Sequence, residues 1–243
     1  MLEGTAVHGI EDPLRGLSER EIDTALVKAR EGLERRHYLR LAADGFIELD
    51  GGVASVVQVV AHPERSYFVY LTHGSARDPI EAGTRRVFHV KGDLAVEVAD
   101  GDEPMLTALD GRDGIATAVT RFWHVEDQPA AGSERVHVAQ QALHHAARIA
   151  ASEGRAACLE SLRAAGVPPT AASTLAETLT SPRSNAAVIA FSIEAPAKST
   201  VAIGALEGAN GLWRMRAAAD EVDLEPTTGA ALARLIREFV RTA

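Results

Sequence analysis

The order of strand-like and helical segments is the sequence feature that most constrains this fold. Two groups of short segments alternate apolar and polar residues at every second position, which is typical of β-strands with one buried face. Each group is followed by a segment of helical period, through Phe122 in the first half and Phe239 in the second. This order predicts an α+β protein of two quasi-equivalent halves, each an antiparallel β-meander plus a helix, whose two sheets lie beside a central helical bundle. Since identity between the halves is negligible, a chance likeness of two common patterns is the alternative.

Local signals set the predicted boundaries of the elements. Ser18 and Glu21 form a capping box that begins a helix over residues 18–36. Asp50 can cap a second helix, which ends at His62-Pro63, although the valines of this segment leave a strand as the alternative. The further predicted helices are 113–122, 134–151, 153–165, 169–180 and 226–240, and the predicted strands are 38–41, 46–49, 67–72, 85–90, 94–98, 104–109, 186–193, 199–206, 212–217 and 221–224.

A linker is predicted at residues 125–133, which contain Pro129 and Gly132. It divides the chain into a first half, 1–125, and a second half, 126–243, which we expect to form one compact body. Net charge is −7 in the first half and −2 in the second. The more neutral second half is therefore the better place for an apolar binding surface.

Composition excludes several classes of protein. The 243 residues carry a formal charge of −9, which argues against a protein that grips nucleic acid phosphates. Cys158 is the single cysteine, so neither an intramolecular disulfide nor a multi-cysteine zinc site is available, and its alanine and leucine neighbours predict a small packed hydrophobe. We expect no membrane span and no signal peptide, which makes the cytoplasm the expected location.

Motifs for catalysis are not found in the sequence. It has no Gly-x-Ser-x-Gly elbow, no phosphate loop and no dinucleotide fingerprint. His137 and His144 are predicted on one helix, but two turns separate them by ~10 Å, too far to chelate one ion. His73-Gly74-Ser75 is best explained as a loop. We therefore expect a protein that is not an enzyme and has no cofactor or metal, although an unfamiliar enzyme using His73 or the other two histidines is a further alternative.

The N-terminal helix, hairpin and second helix allow a different interpretation. Helix, hairpin and helix over residues 18–60 match part of a winged helix, with Arg35, Arg36 and Arg40 as a basic patch. Because acidic residues are interspersed in the same segment, its electrostatic potential has no single sign. A structural module is therefore favoured. A regulatory DNA- or ligand-binding protein is nevertheless the alternative function.

The closing segments resemble a known family. Residues 211–216 (Gly-Leu-Trp-Arg-Met-Arg), residues 222–226 (Val-Asp-Leu-Glu-Pro) and the helix after them are similar to the closing strand–strand–helix unit of the EspG family. Residues 17–49 are similar to its opening helix and hairpin. The resemblance implies a non-catalytic cytosolic chaperone of actinobacterial type VII secretion. It further implies that the partner is a protein, a secreted helical heterodimer of the PE–PPE type.

Candidate partner-binding residues come from the chain itself, since no family motif matches residue by residue. A chaperone of this kind needs an apolar surface with a polar rim. The long polar connection 73–83 offers His73, Arg77 and Asp78, and the exposed part of the second sheet offers Trp213. For the tryptophan, core packing is the favoured role and partner binding the less favoured one.

Overall fold

The computed structural model describes residues 14–42, 46–74, 79–99, 105–125, 127–192, 201–218 and 220–242. The helices in these ranges are α1 (Glu19–Arg35), α2 (Gly51–Ala61), α3 (Pro79–Ala82), α4 (Gly111–Trp123), α5 (Gln140–Ser152), α6 (Arg155–Ala164), α7 (Pro169–Thr180) and α8 (Gly229–Thr242). The strands are β1 (Leu39–Leu41), β2 (Ile47–Leu49), β3 (Arg65–His73), β4 (Thr84–Lys91), β5 (Leu94–Ala99), β6 (Met105–Leu109), β7 (Val136–Ala139), β8 (Pro182–Ser192), β9 (Val201–Gly208), β10 (Gly211–Ala218) and β11 (Glu221–Thr227). The predicted α+β class is confirmed.

Nine strands form a single antiparallel sheet in the order β6-β5-β4-β3-β8-β9-β10-β11-β7. The predicted meanders are both present, but the expectation that they form two sheets is wrong. β3 of the first half pairs with β8 of the second along its whole length, with Phe68 opposite Ile189. Pairing these two strands removes two open edges, which would otherwise present unsatisfied backbone groups.

One face of this sheet is covered by α4 and α8, the helices that close the two meanders. Ile115 and Trp123 of α4 and Ile236 of α8 are fully buried there against strand residues such as Val188. Each fully buried aliphatic side chain stabilises the fold by about 1.5–3 kcal/mol. The Tyr67 hydroxyl of β3 donates a hydrogen bond of 2.8 Å to the Val240 carbonyl near the end of α8. The helix from the last third of the chain is thereby fixed to a strand from the first.

In the described ranges, helices cover the opposite face mainly at its two ends, and the short α3 contacts β3 and β8 between them. Val59 and Val60 of α2 pack on β4 and β5. Leu143 of α5, Leu162 of α6 and Leu175 of α7 pack on β10, β11 and β7. The middle of this face, over β8 and β9, lies between these two groups of helices.

The start of the predicted helix 134–151 is a strand. Val136 and Val138 are buried and alternate with exposed residues, and Val138 pairs with Val222 of β11. This alternation is only four residues long and runs directly into the helical pattern of α5, which is why the two are read as one helix. His137 therefore lies on β7, not on the helix that carries His144.

The segment 125–133 packs closely on β10. Ala130 forms a parallel bridge with Leu212, and Val125 and Ala131 are buried. The Leu212 amide donates to the Pro129 carbonyl at 2.8 Å. Division of the chain at residue 125 stays a prediction.

The first helix and the hairpin form a distinct N-terminal arm, residues 17–42 and 46–49. The capping box is confirmed, since the Ser18 amide donates to the Glu21 carboxylate at 2.9 Å, and the hydrogen bonds from Ser18 lower the pKa of that carboxyl. No residue of α1 is buried. The predicted turn at residues 43–45 lies outside the described residues.

The second helix of the winged-helix interpretation does not pack against the first helix and the hairpin. Asp50 caps α2 as predicted, accepting from the Gly52 amide at 2.9 Å, but Val59 and Val60 of this helix pack on the large sheet, not on the arm. Arg40 of the predicted basic patch is paired with Glu48 across the hairpin. The described residues therefore give no support to a DNA-binding module.

Candidate partner-binding groove

The middle of this sheet face, which the described helices leave largely open, forms an apolar groove, which we call the central groove. Its floor consists of small side chains that point to the same face of three neighbouring strands, and its volume is about 180 Å³. These floor residues are Ala187 on β8, Ala202 and Gly204 on β9, and Ala217 on β10. A floor of alanine and glycine lies low between the flanking helices, so it leaves room for side chains supplied by a partner.

Two walls enclose the floor. Leu143, His144 and Ala147 of α5 form one wall, and Ile80 of α3 forms the other. The Ile80 side chain is 48% exposed. None of the described residues that line the groove is an aspartate, glutamate, lysine or arginine. The groove therefore offers burial of apolar surface, and not charge, as its main attraction.

Gly204 is required for the shape of the floor. A Cβ atom at this position would lie 3.0 Å from Met215 Cε and 3.1 Å from Met215 Cβ. Because Gly204 has no side chain, the Met215 side chain of β10 can lie close to the β9 backbone at this point. Methionine is flexible and polarisable, and such side chains adapt to differently shaped apolar partners.

His73 lies at the exposed end of β3. Strand residues alternate between the two faces, and His73 continues the series of Tyr67, Val69 and Leu71, whose side chains pack towards α4 and α8. The side chain is thus directed to the face opposite the central groove. Arg77 and Asp78, the other two candidates in this connection, lie outside the described residues.

Trp213 is buried in the core. Its side chain is only 1% exposed, packs in the cluster under α7, and donates from its indole nitrogen to the Thr178 hydroxyl at 3.3 Å. The structure thus favours the core-packing alternative for this residue. Met215 and Ala217, on the same face of the same strand, do line the groove.

Two features of the groove escaped the sequence prediction. Ile80 forms a wall although it belongs to the connection 73–83, where only polar residues had been singled out. The signal for the floor is a run of small residues at alternate positions, such as Ala202 and Gly204. Because such residues are common in ordinary strands, this pattern has little predictive value.

The histidine and cysteine candidates have structural surroundings. His137 Nδ1 lies 2.7 Å from Asp223 and Nε2 lies 2.9 Å from Glu221, and these partners raise its pKa, the hydrogen bond with Asp223 most of all. Because the two ring nitrogens face opposite ways, the carboxylates do not converge on one point. Burial raises the pKa of the Cys158 thiol to about 11, which suppresses the reactive thiolate. In the described part of the chain, no group of three or more histidine, cysteine or acidic residues is placed to hold a metal ion.

The fold and the groove together define the class of protein: an α+β protein built on one antiparallel sheet, with an apolar groove on one face. The chain belongs to the EspG family, whose sequence model matches residues 13–238. Among solved structures it is similar to the Mycobacterium tuberculosis type VII secretion system chaperone EspG5 in complex with the PE25–PPE41 dimer, with a TM-score of 0.61 and 16% sequence identity. This match covers 97% of the chain and 88% of the EspG5 chain, and at this identity it establishes a shared fold.

No curated protein gives a significant match to the chain. None of the helices in the described ranges combines the length and apolar character that a membrane crossing needs.

Proposed function

We propose that this protein is a cytosolic chaperone of type VII secretion, which binds a secreted helical heterodimer of the PE–PPE type through the central groove. The observation that carries this proposal is an uncharged, apolar groove in the middle of an otherwise covered sheet face. Membership of the EspG family supports it. So does the shared fold with EspG5, a chaperone whose structure was solved with a PE25–PPE41 dimer.

Binding would work by removing apolar surface from water. A leucine or phenylalanine side chain of the client that enters the groove gains about 1.5–3 kcal/mol when it is fully buried. The same side chain, if left exposed, would promote aggregation of the client before export. Gln140 and His144 at the α5 wall offer polar contacts that orient the client without adding charge.

The protein would act by binding alone. The groove contains His144 but no serine, cysteine or carboxylate beside it among the described residues that line it. His137 is engaged by two carboxylates, and Cys158 is buried. These surroundings favour a non-catalytic role and one that needs neither metal nor cofactor.

The client-binding groove would lie at the junction of the two halves. Ile80 comes from the proposed first half, 1–125, whereas the floor and the α5 wall come from the second, 126–243. We further propose that Arg77 and Asp78, which directly precede the helix of Ile80 in the sequence, supply part of a polar rim, whereas His73 is directed to the opposite face of the sheet. Trp213 would hold the floor in place from within the core.

Co-expression with a PE–PPE pair of the native host tests this proposal. Ala202→Leu fills the floor, and Ile80→Asp puts a charge on the wall, so we expect both variants to lose the co-purified client. Ala108→Leu is the matched control, since Ala108 is an exposed strand alanine on β6, outside the groove. Circular dichroism establishes that each variant is folded. Undiminished client binding by both folded groove variants would refute the assignment of the groove.

A further inference from the structure

Most of the exposed apolar side chains are concentrated in the N-terminal arm. Of the 13 large apolar side chains that are exposed among the described residues, eight belong to it. Leu26 and Val27 of α1 are 52% and 56% exposed. The other six are Leu17, Tyr38, Leu41, Phe46, Ile47 and Leu49. Such a concentration in about one-eighth of the chain is typical of an interaction surface.

The arm contains too little internal packing to be stable when it is left uncovered. α1 has 17 residues, none of them buried, whereas most of the stability of a helix in a protein comes from tertiary packing of its apolar face. The β1–β2 hairpin has three residues in each strand, and Leu39 is its single buried residue. A two-stranded hairpin also needs a further apolar surface to be stable. The arm therefore needs a surface that covers it.

The charge distribution along α1 indicates what that surface is. Residues 19–23 carry a net charge of −2, and residues 28–36 carry a net charge of +2. A helix with the same gradient, laid antiparallel, places each acidic end against a basic end. A second copy of this chain supplies such a helix, and a two-fold axis produces the antiparallel arrangement.

We propose that the N-terminal arm pairs with the arm of a second copy, with the two α1 helices antiparallel across a two-fold axis. The helix is about 25 Å long at its usual rise per residue. With the hairpin beside it, the arm presents a face about 20 Å wide, hence roughly 500 Å² from each copy and about 1,000 Å² in total. This area is at the lower limit for a specific interface. We therefore expect a weak dimer, whose population depends on protein concentration.

Sedimentation of the full-length chain without client, over a range of concentrations, measures this equilibrium. The wild-type protein is expected to shift from monomer to dimer, and Leu26→Asp to weaken the dimer at least about ten-fold. Met105→Asp is the matched control, because Met105 is 63% exposed on the apolar edge strand β6, outside the arm. It is expected to dimerise like the wild type.

Charge reversal tests the antiparallel arrangement. Glu19→Lys with Asp23→Lys makes both ends of α1 basic and leaves the capping box unchanged. Lys28→Glu with Arg35→Glu makes both ends acidic. Each double variant alone is expected to be monomeric, whereas an equimolar mixture of the two is expected to form a heterodimer.

Four results would overturn the proposal. One is a wild-type protein that stays monomeric at all concentrations. Another is a dimer that survives Leu26→Asp but is lost in Met105→Asp, which would place the contact at β6. A third is a mixture of the two reversed variants that stays monomeric while the wild type dimerises. The fourth is a monomeric wild type whose client binding is abolished by Leu26→Asp, which would make the client the partner of the arm.

Discussion

Replacement of Trp213 distinguishes a core residue from a partner contact. Trp213→Ala removes a fully buried indole from the cluster under α7, which costs about 3–5 kcal/mol in other buried tryptophans and phenylalanines. Trp213→Phe keeps most of the apolar volume but removes the donor to Thr178. The Thr178 hydroxyl keeps the hydrogen bond that it donates to the Thr174 carbonyl at 3.0 Å. It loses only the hydrogen bond that its oxygen accepts from the Trp213 indole. We expect Trp213→Phe to cost about 1–2 kcal/mol.

Urea unfolding followed by circular dichroism measures both losses. In a thermal melt, a change of 1 kcal/mol in the free energy of unfolding would shift the melting temperature by about 3 °C for a chain of this size. Trp123→Phe is the matched control, because the Trp123 indole is equally buried and its nitrogen has no hydrogen-bond partner among the described residues. That variant should lose less stability than Trp213→Phe. If Trp213→Phe keeps wild-type stability but binds the client ten-fold more weakly, the packing role of this residue is refuted.

Two further changes test other parts of the fold. Gly211 has φ +117°, and a Cβ there would lie 2.5 Å from the Pro129 carbonyl oxygen. Gly211→Ala should therefore lower the free energy of unfolding by about 2–4 kcal/mol, whereas Gly166→Ala, at an open left-handed position, should lower it by about 1 kcal/mol. Equal losses of the two variants in urea unfolding would contradict this. His137→Gln tests the raised pKa of His137: the extra stability of the wild type should be fully present below the unfolded-state pKa of about 6.5 and disappear as the pH rises through the folded-state value. A difference in melting temperature that is the same at all pH values would show that the ion pairs contribute nothing.

Local chemistry made most elements predictable from the sequence. The capping box at Ser18 and the cap at Asp50 each satisfy free amides of a first helical turn, so both helices begin where these residues stand. Pro169 begins α7 for a related reason, because its fixed φ suits a first turn. Such signals act within a few residues and do not depend on the rest of the fold.

Long-range features were less accessible to the sequence. The pairing of β3 with β8 joins segments more than a hundred residues apart, and no local pattern specifies it. β7 was missed because four alternating residues give too short a period. The candidate site was predicted only in outline. The sequence pointed to the polar connection and to β10, and the groove is lined by Ile80 of the former and Met215 and Ala217 of the latter instead of His73 and Trp213.

The β3–β8 pairing also has a consequence for synthesis of the chain. β3 emerges from the ribosome long before residue 182, where its partner strand β8 begins. Until then the first meander has an open edge at β3, and such edges are prone to pair wrongly. The groove floor is made of β8, β9 and β10, so it does not exist on the nascent first half. Under the proposed function, client capture therefore requires that β8, β9 and β10 have been made, which happens late in translation.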